Sequence, residues 1–138
     1  MNYHKMNQSN RDALIQRIKF DLLRNKYILF AYLFGSFNNY DKEVGFRDID
    51  IAIYYAPSIE DTLSEALNSG IKLSSKYNLL IDCVPFNEAP LYFRYHIFYE
   101  GTELFCKDEE LRDKILEATV TEALDYMSIR EEAIKELV

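Results

Sequence analysis

The sequence predicts an α/β (α+β) domain: a small mixed β-sheet flanked by helices, with a long helix at the C-terminal end. Three observations predict it. Apolar runs of strand length alternate with segments of helical period, in the order helix, strand, turn, strand, helix, strand, helix, short strand, helix. The 138 residues suit one domain, 1–138, with a core at about 27–106 between helical flanks at 10–26 and 108–137. The composition is 49% hydrophobic with eleven Tyr and nine Phe, but only four Gly and three Pro, which supplies a core and excludes disordered and collagen-like classes.

Each element has its own local warrant. Residues 10–26 read as an amphipathic helix, with Ala13, Leu14, Ile15, Ile18 and Leu22 on one face and Arg11, Gln16, Lys19 and Arg24 opposite. Ser9 or Asn10 is placed to cap it. The continuous apolar run Tyr27–Phe34 stops at Gly35 and predicts a buried strand. Residues 37–47 are polar and predict a loop, alone or after a short helix. Asp48–Tyr55 predicts a second strand. Residues 59–69 predict a helix closed by Gly70. Residues 78–86 predict a third strand, and 90–99 a helix with Pro90 near its first turn. Gly101 breaks that helix, and Thr102–Cys106 predicts a short edge strand. From Asp108 to Leu137 one helix is expected. Its apolar residues Leu116, Val120, Ala123, Met127, Ile134 and Leu137 recur at three- and four-residue steps, interrupted by Arg130.

Several function classes fall away. The longest apolar run has eight residues, against the roughly 20 needed to span a membrane. The polar start MNYHKMNQSNRD lacks the apolar stretch of a secretory signal, so a cytoplasmic setting is expected. Two cysteines and two histidines, none at ligand spacing, exclude a disulfide scaffold and a Cys/His zinc centre. Net charge is −7, and residues 101–138 carry eleven Asp/Glu against five Lys/Arg. With no basic stripe, direct nucleic-acid binding is not expected. The acidic C-terminal helix is most simply a solvated face, and is also the first candidate for a partner-docking surface.

Two short motifs carry the chemistry: Gly35-Ser36 ending the first strand, and Asp48-Ile49-Asp50 opening the second. Each alone is weak, but their joint occurrence at short spacing is expected by composition only on the order of 0.005 times. Alternation along the strand puts Asp48 and Asp50 on one face and Ile49, Ile51 and Ile53 on the other. Two acids on one face of an apolar strand are costly without a cation. Asp82 is the only charge between Asn78 and Asn87, so it is either hydrogen-bonded structure or a third site acid. Three converging carboxylates favour a hard divalent ion, magnesium or manganese. Gly35 lets the backbone approach a ligand closely, and Ser36 offers a hydroxyl to an anion. Together these describe a site for a nucleoside triphosphate. Arg47, adjoining Asp48, comes first among the cations that would neutralise phosphates, ahead of Lys42, Lys72 and Lys76. His96 reads as a packed or surface histidine.

The segments LFGSF, DIDIAI and LLIDCVPF resemble the Gly-Ser…Asp-x-Asp…Asp signature of the DNA polymerase β-like nucleotidyltransferase superfamily. Small size and the segment FYEGTELFCKDEELRDKILEAT resemble its minimal nucleotidyltransferase (MNT) branch, whose members serve as antitoxins in HEPN–MNT toxin–antitoxin pairs. The resemblance spans about residues 27–120. It implies the nucleotidyltransferase fold and transfer of AMP from ATP, with two Mg2+ (or Mn2+) ions, to a tyrosine hydroxyl of a HEPN toxin. It places Gly35 and Ser36 on the phosphate-binding pair and Asp48 and Asp50 on the metal-binding pair. Asp82 falls on the third carboxylate, and all three acids are the implied catalytic set. Departures exist: Asn38-Asn39-Tyr40 stands where the family often has a small residue, Arg and Gly, and Arg47 stands where a Ser commonly precedes the acids. Two alternatives stay open, a non-catalytic antitoxin that blocks its partner sterically and an adenylyltransferase acting on a small molecule. A homo-oligomer is compatible with the sequence.

Overall fold

A computed structural model describes residues 4–39 and 45–137. Its elements, in chain order, are α1 (Gln8–Leu23), β1 (Ile28–Phe34), α2 (Gly35–Asn38), β2 (Ile49–Tyr55), α3 (Thr62–Tyr77), β3 (Ile81–Pro85), α4 (Leu91–Glu100), β4 (Thr102–Cys106) and α5 (Glu109–Leu137). The four strands form one mixed sheet in the order β3-β2-β1-β4. β1 pairs antiparallel with β2 and with β4, while β3 runs parallel to β2. The expected mixed sheet with helical flanks is therefore the observed one, with the short fourth strand at its edge.

Side-chain alternation along the central strands divides the core into two layers. On one face Ile28, Ala31, Ile49, Ile51, Ile53 and Tyr55 pack under α1 and α3 with Leu14, Ile18, Leu22, Ala66 and Leu73. On the other, Phe30, Tyr32 and Ala52 pack with Phe86 and with Ile97 of α4. Asp50 belongs to this second face, between Ala52 and the strand's opening. Burying each large aliphatic side chain here contributes roughly 1.5–3 kcal/mol. That is ample to hold a strand whose first turn carries repelling acids.

Several expectations are corrected. Asn7, rather than Ser9 or Asn10, caps α1, its side chain accepting from the Asn10 N–H at 2.7 Å. Ala13 is exposed, and Arg11, expected on the solvent face, is half-buried. Asp48 immediately precedes β2 rather than lying within it. Gly70 does not end α3, which runs through it to Tyr77 and stops at Asn78 in the left-handed conformation (φ 53°). A Cβ at Gly70 would lie 3.0 Å from the Ile81 carbonyl oxygen and 3.3 Å from the Cys83 nitrogen, so glycine lets α3 press directly on β3. The seam expected along α5 is only partly covered: Thr119 and Ala123 are buried, whereas Val120, Met127, Ile134 and Leu137 are exposed.

Candidate active site

The acids meet where three strand ends coincide. Because β1 runs against β2, and β3 alongside it, the end of β1 and the starts of β2 and β3 share one edge of the sheet. In the parallel ladder Asp50 pairs with Asp82, and in the antiparallel ladder it pairs with Phe34. Residues opposite one another in a ladder project to the same face, so Asp50 and Asp82 emerge side by side. Asp48, two residues before Asp50, adds its charge to the same cluster. Burial pushes the Asp50 carboxyl up to about 6; the carboxylates of Asp48 and Asp82 add to the rise, and the Arg47 guanidinium opposes it.

The backbone around the cluster is set by its neighbours. Gly35 has φ +77°, and a Cβ there would overlap the Asp50 carboxylate, sitting 3.2 Å from its Cγ. Only a glycine lets the β1–α2 turn close over Asp50. Ser36 follows, exposed, in the first turn of α2. Arg47 pairs with Asp48 (Nε to Oδ1, 3.6 Å), with nearly half of its side chain open to solvent. The start of β3 is fixed from α3: the Ile81 N–H donates to Ser74 Oγ at 2.9 Å, which positions Asp82 next to it. On the N-terminal side, His4 and Phe46 exchange backbone hydrogen bonds (2.7 and 3.0 Å), pinning the chain just ahead of Arg47 and Asp48.

Three further residues position the site and were not among the site residues expected from sequence. Arg11 reaches from α1 to the end of α2, donating to the Phe37 carbonyl (3.2 and 3.0 Å) and to the Asn38 carbonyl (3.3 Å). Its guanidinium also lies over the Phe37 ring at 5.0 Å. Asn38 in turn donates to the Glu100 carbonyl at 2.9 Å, tying α2 to the end of α4. Phe93 of α4 meets Phe34, the cross-strand partner of Asp50, edge to face at 5.5 Å, and so braces the end of β1 beside the acids. Nothing in the sequence separates Arg11 from other arginines on an amphipathic helix, because its partners are backbone carbonyls 26 and 27 positions away. Asn38 has no better local signal.

Other basic candidates lie elsewhere. Lys76 is engaged with Asp21 at 2.8 Å, and Lys72 lines a hollow of about 300 Å3 between α1 and α3, under the opposite face of the sheet from Asp50. These two lysines are thereby removed from the phosphate-binding set. His96 pairs with Glu100 at 3.3 Å, and Lys42 lies outside the described residues. Among the described residues, no group of three or more Asp, Glu, His or Cys side chains is arranged to hold a metal ion. The donor set at the acids is nonetheless all carboxylate, and the mutual repulsion at Asp50 is of the kind a hard divalent cation relieves.

Comparison with known proteins agrees with this architecture. The family model described as "Polymerase beta, Nucleotidyltransferase" matches residues 16–110. No curated protein matches the sequence. Among solved structures, a Shewanella oneidensis MNT antitoxin in complex with its tri-AMPylated HEPN toxin is similar at TM-score 0.65 and 21% identity, over 92% of this chain and 98% of that one. The MntA–HepT toxin–antitoxin structure is similar at TM-score 0.61 and 20% identity, over 94% and 98%. A toxin–antitoxin structure with AMP-PNP reaches TM-score 0.64 and 21% identity, over 93% and 98%. At such identities these likenesses speak to the fold, which they share almost end to end. The family match covers most of the chain and includes Gly35, Ser36 and all three acids, and so the chain belongs to the polymerase beta nucleotidyltransferase family.

Proposed function

We propose that this chain is an MNT-type antitoxin of the cytoplasm that transfers AMP from ATP to a tyrosine hydroxyl of a HEPN-type toxin. The observation that carries the reading is the Asp50–Asp82 ladder pair, with Asp48 beside it and Gly35 closed over the Asp50 carboxylate. The solved neighbours, one with a tri-AMPylated HEPN toxin and one with AMP-PNP, support the choice of donor and acceptor.

In this reading Asp48, Asp50 and Asp82 would hold two Mg2+ (or Mn2+) ions, which would supply charge neutralisation for the triphosphate and lower the pKa of the acceptor hydroxyl. The chain's own groups do the rest. Gly35 lets the β1–α2 turn sit directly against the Asp50 carboxylate, and Ser36 Oγ donates to a β- or γ-phosphate oxygen. Arg47 adds positive charge at the rim. Asp82, the most open of the three acids, takes the proton from the tyrosine Oη as that oxygen attacks the α-phosphorus. The bond to the bridging oxygen of pyrophosphate breaks in line. Arg11 and Asn38 hold α2 still, so Ser36 pays little reorganisation when substrate arrives.

Cells expressing a cognate HEPN toxin test the reading against steric neutralisation. Wild-type protein protects, and the Asp48→Asn/Asp50→Asn double variant, with an almost unchanged surface, still binds toxin yet fails to protect. Equal protection by the double variant would mean that chemistry is dispensable.

A further inference from the structure

Among the described residues, none covers the C-terminal half of α5. Up to Ala123 the helix is seated: Thr119 is fully buried, and Arg94 of α4 donates to Thr119 Oγ1 at 3.4 Å and to Glu122 at 3.1 Å. From Leu124 to Leu137 every residue is exposed. These fourteen residues extend about 21 Å as a helix. A helix of that length is marginal in water by itself, and its stability ordinarily comes from packing an apolar face.

That face is present and continuous. Leu116, Val120, Ala123, Met127, Arg130, Ile134 and Leu137 alternate at four- and three-residue steps, the spacing of a left-handed helix–helix seam. Leu124 and Tyr126 flank it, so the stripe is broad. Val120 is 40% exposed, Leu124 61%, Met127 49% and Ile134 49%. The opposite side carries Glu122, Asp125, Glu132 and Glu136, which suits water. The seam begins on the body of the protein and runs off its end, so a partner lying along it would also reach the folded domain.

Two features weigh against a second copy of this chain as the natural occupant. Residues 101–138 carry six more acidic than basic side chains, so two copies repel. Arg130 sits within the seam itself. In a parallel self-pair it faces another Arg130. In an antiparallel self-pair with core positions in register it faces Met127 or Ile134, leaving a guanidinium unpaired among apolar groups. A heterologous helix with an apolar stripe and one carboxylate opposite Arg130 satisfies both terms, and a polar seam position of this kind selects partner and register.

We infer that Val120–Leu137 is the docking seam for a helix of the toxin partner, fixed in register by an acid–Arg130 pair. This rests on the proposed function for the partner's identity, but it concerns a surface on the helix that carries none of the acids.

The test uses the full chain, a cognate HEPN protein, and three variants: L124K/M127K/I134K, Arg130→Glu, and Asp48→Asn/Asp50→Asn. Every seam substitution falls on an exposed residue, so the fold is retained, as far-UV circular dichroism will record. Alone, the wild type is expected to run as a monomer by light scattering. By calorimetric titration the triple variant loses at least 100-fold in affinity for the HEPN protein and Arg130→Glu at least 10-fold. Both keep the wild-type rise in melting temperature with magnesium and AMP-PNP, and the double aspartate variant keeps its affinity for the partner. Undiminished binding by the triple variant overturns the inference, as does a wild-type homodimer that the triple variant dissolves, or a wild type that binds no HEPN protein. If the seam variants lose binding while the wild type transfers no AMP, the surface stands and the proposed chemistry falls.

Discussion

Asp50→Asn in the metal-free protein isolates the electrostatic cost of the acid cluster. Burial first, then the carboxylates of Asp48 and Asp82, raises the Asp50 carboxyl from 3.8 to about 6. The sign follows from linkage: the native state holds this proton more tightly than the unfolded chain does. The stabilisation is complete below about pH 4 and is lost as pH rises through 6. At pH 8 the full shift corresponds to about 3 kcal/mol against folding. Asp50 is only half-buried, and solvent screening reduces that to about 1–2 kcal/mol. The amide removes the charge with almost no change of shape. Asp50→Asn is therefore expected to be more stable than wild type at pH 8 in chelator by that amount, raising Tm by roughly 3–8 °C for a chain of this size. At pH 4 the two should converge. Urea unfolding followed by circular dichroism between pH 4 and 8 measures both limits. Parallel pH profiles, with no gain at pH 8, would refute the idea that the acids strain the empty site.

Gly35→Ala has two penalties, a left-handed backbone and a methyl driven into the Asp50 carboxylate. It is expected to cost about 1–3 kcal/mol in urea unfolding and to remove the thermal response to magnesium and AMP-PNP. Arg11→Ala deletes hydrogen bonds from a charged donor to the carbonyls of Phe37 and Asn38, at about 1.5–3 kcal/mol. Because Arg11 positions the turn rather than touching substrate, its loss should raise KM for ATP more than it lowers kcat, and Arg11→Lys should restore part of the affinity. Gly70→Ala is expected to cost about 1–2 kcal/mol, since β3 must give way by a few tenths of an ångström before α3 can seat; calorimetric melting checks this, and an unchanged Tm would contradict the close approach.

The regions of the fold legible from sequence were those where local pattern and burial agree. The run Tyr27–Phe34 could only be a covered strand, and the alternation Asp-Ile-Asp-Ile-Ala-Ile already states which face Asp50 takes. Gly70 misled because a glycine after an apolar helical stretch has two physical uses, ending a helix or admitting a neighbour. Here the nearby Ile81 carbonyl decides for the second. The seam on α5 was visible as a period, but periodicity does not say whether a face is covered by the same chain. The adjacency of Asp82 and Asp50 depends on the parallel pairing of β2 with β3, a long-range choice that no window of sequence contains. Arg11 was illegible for the same reason, as its acceptors are main-chain oxygens brought near by the turn at Gly35.

The central claim is that these acids make a protein adenylyltransferase, and the mass of the acceptor tests it most directly. Purified HEPN toxin is incubated with this protein, ATP and magnesium, and its intact mass is recorded. The toxin is expected to gain one or more AMP groups on tyrosine, with pyrophosphate released in equal number. With Asp48→Asn/Asp50→Asn the mass stays unchanged although the complex forms. An unmodified toxin in a stable complex with the wild-type protein, with ATP and magnesium both present, would contradict the account.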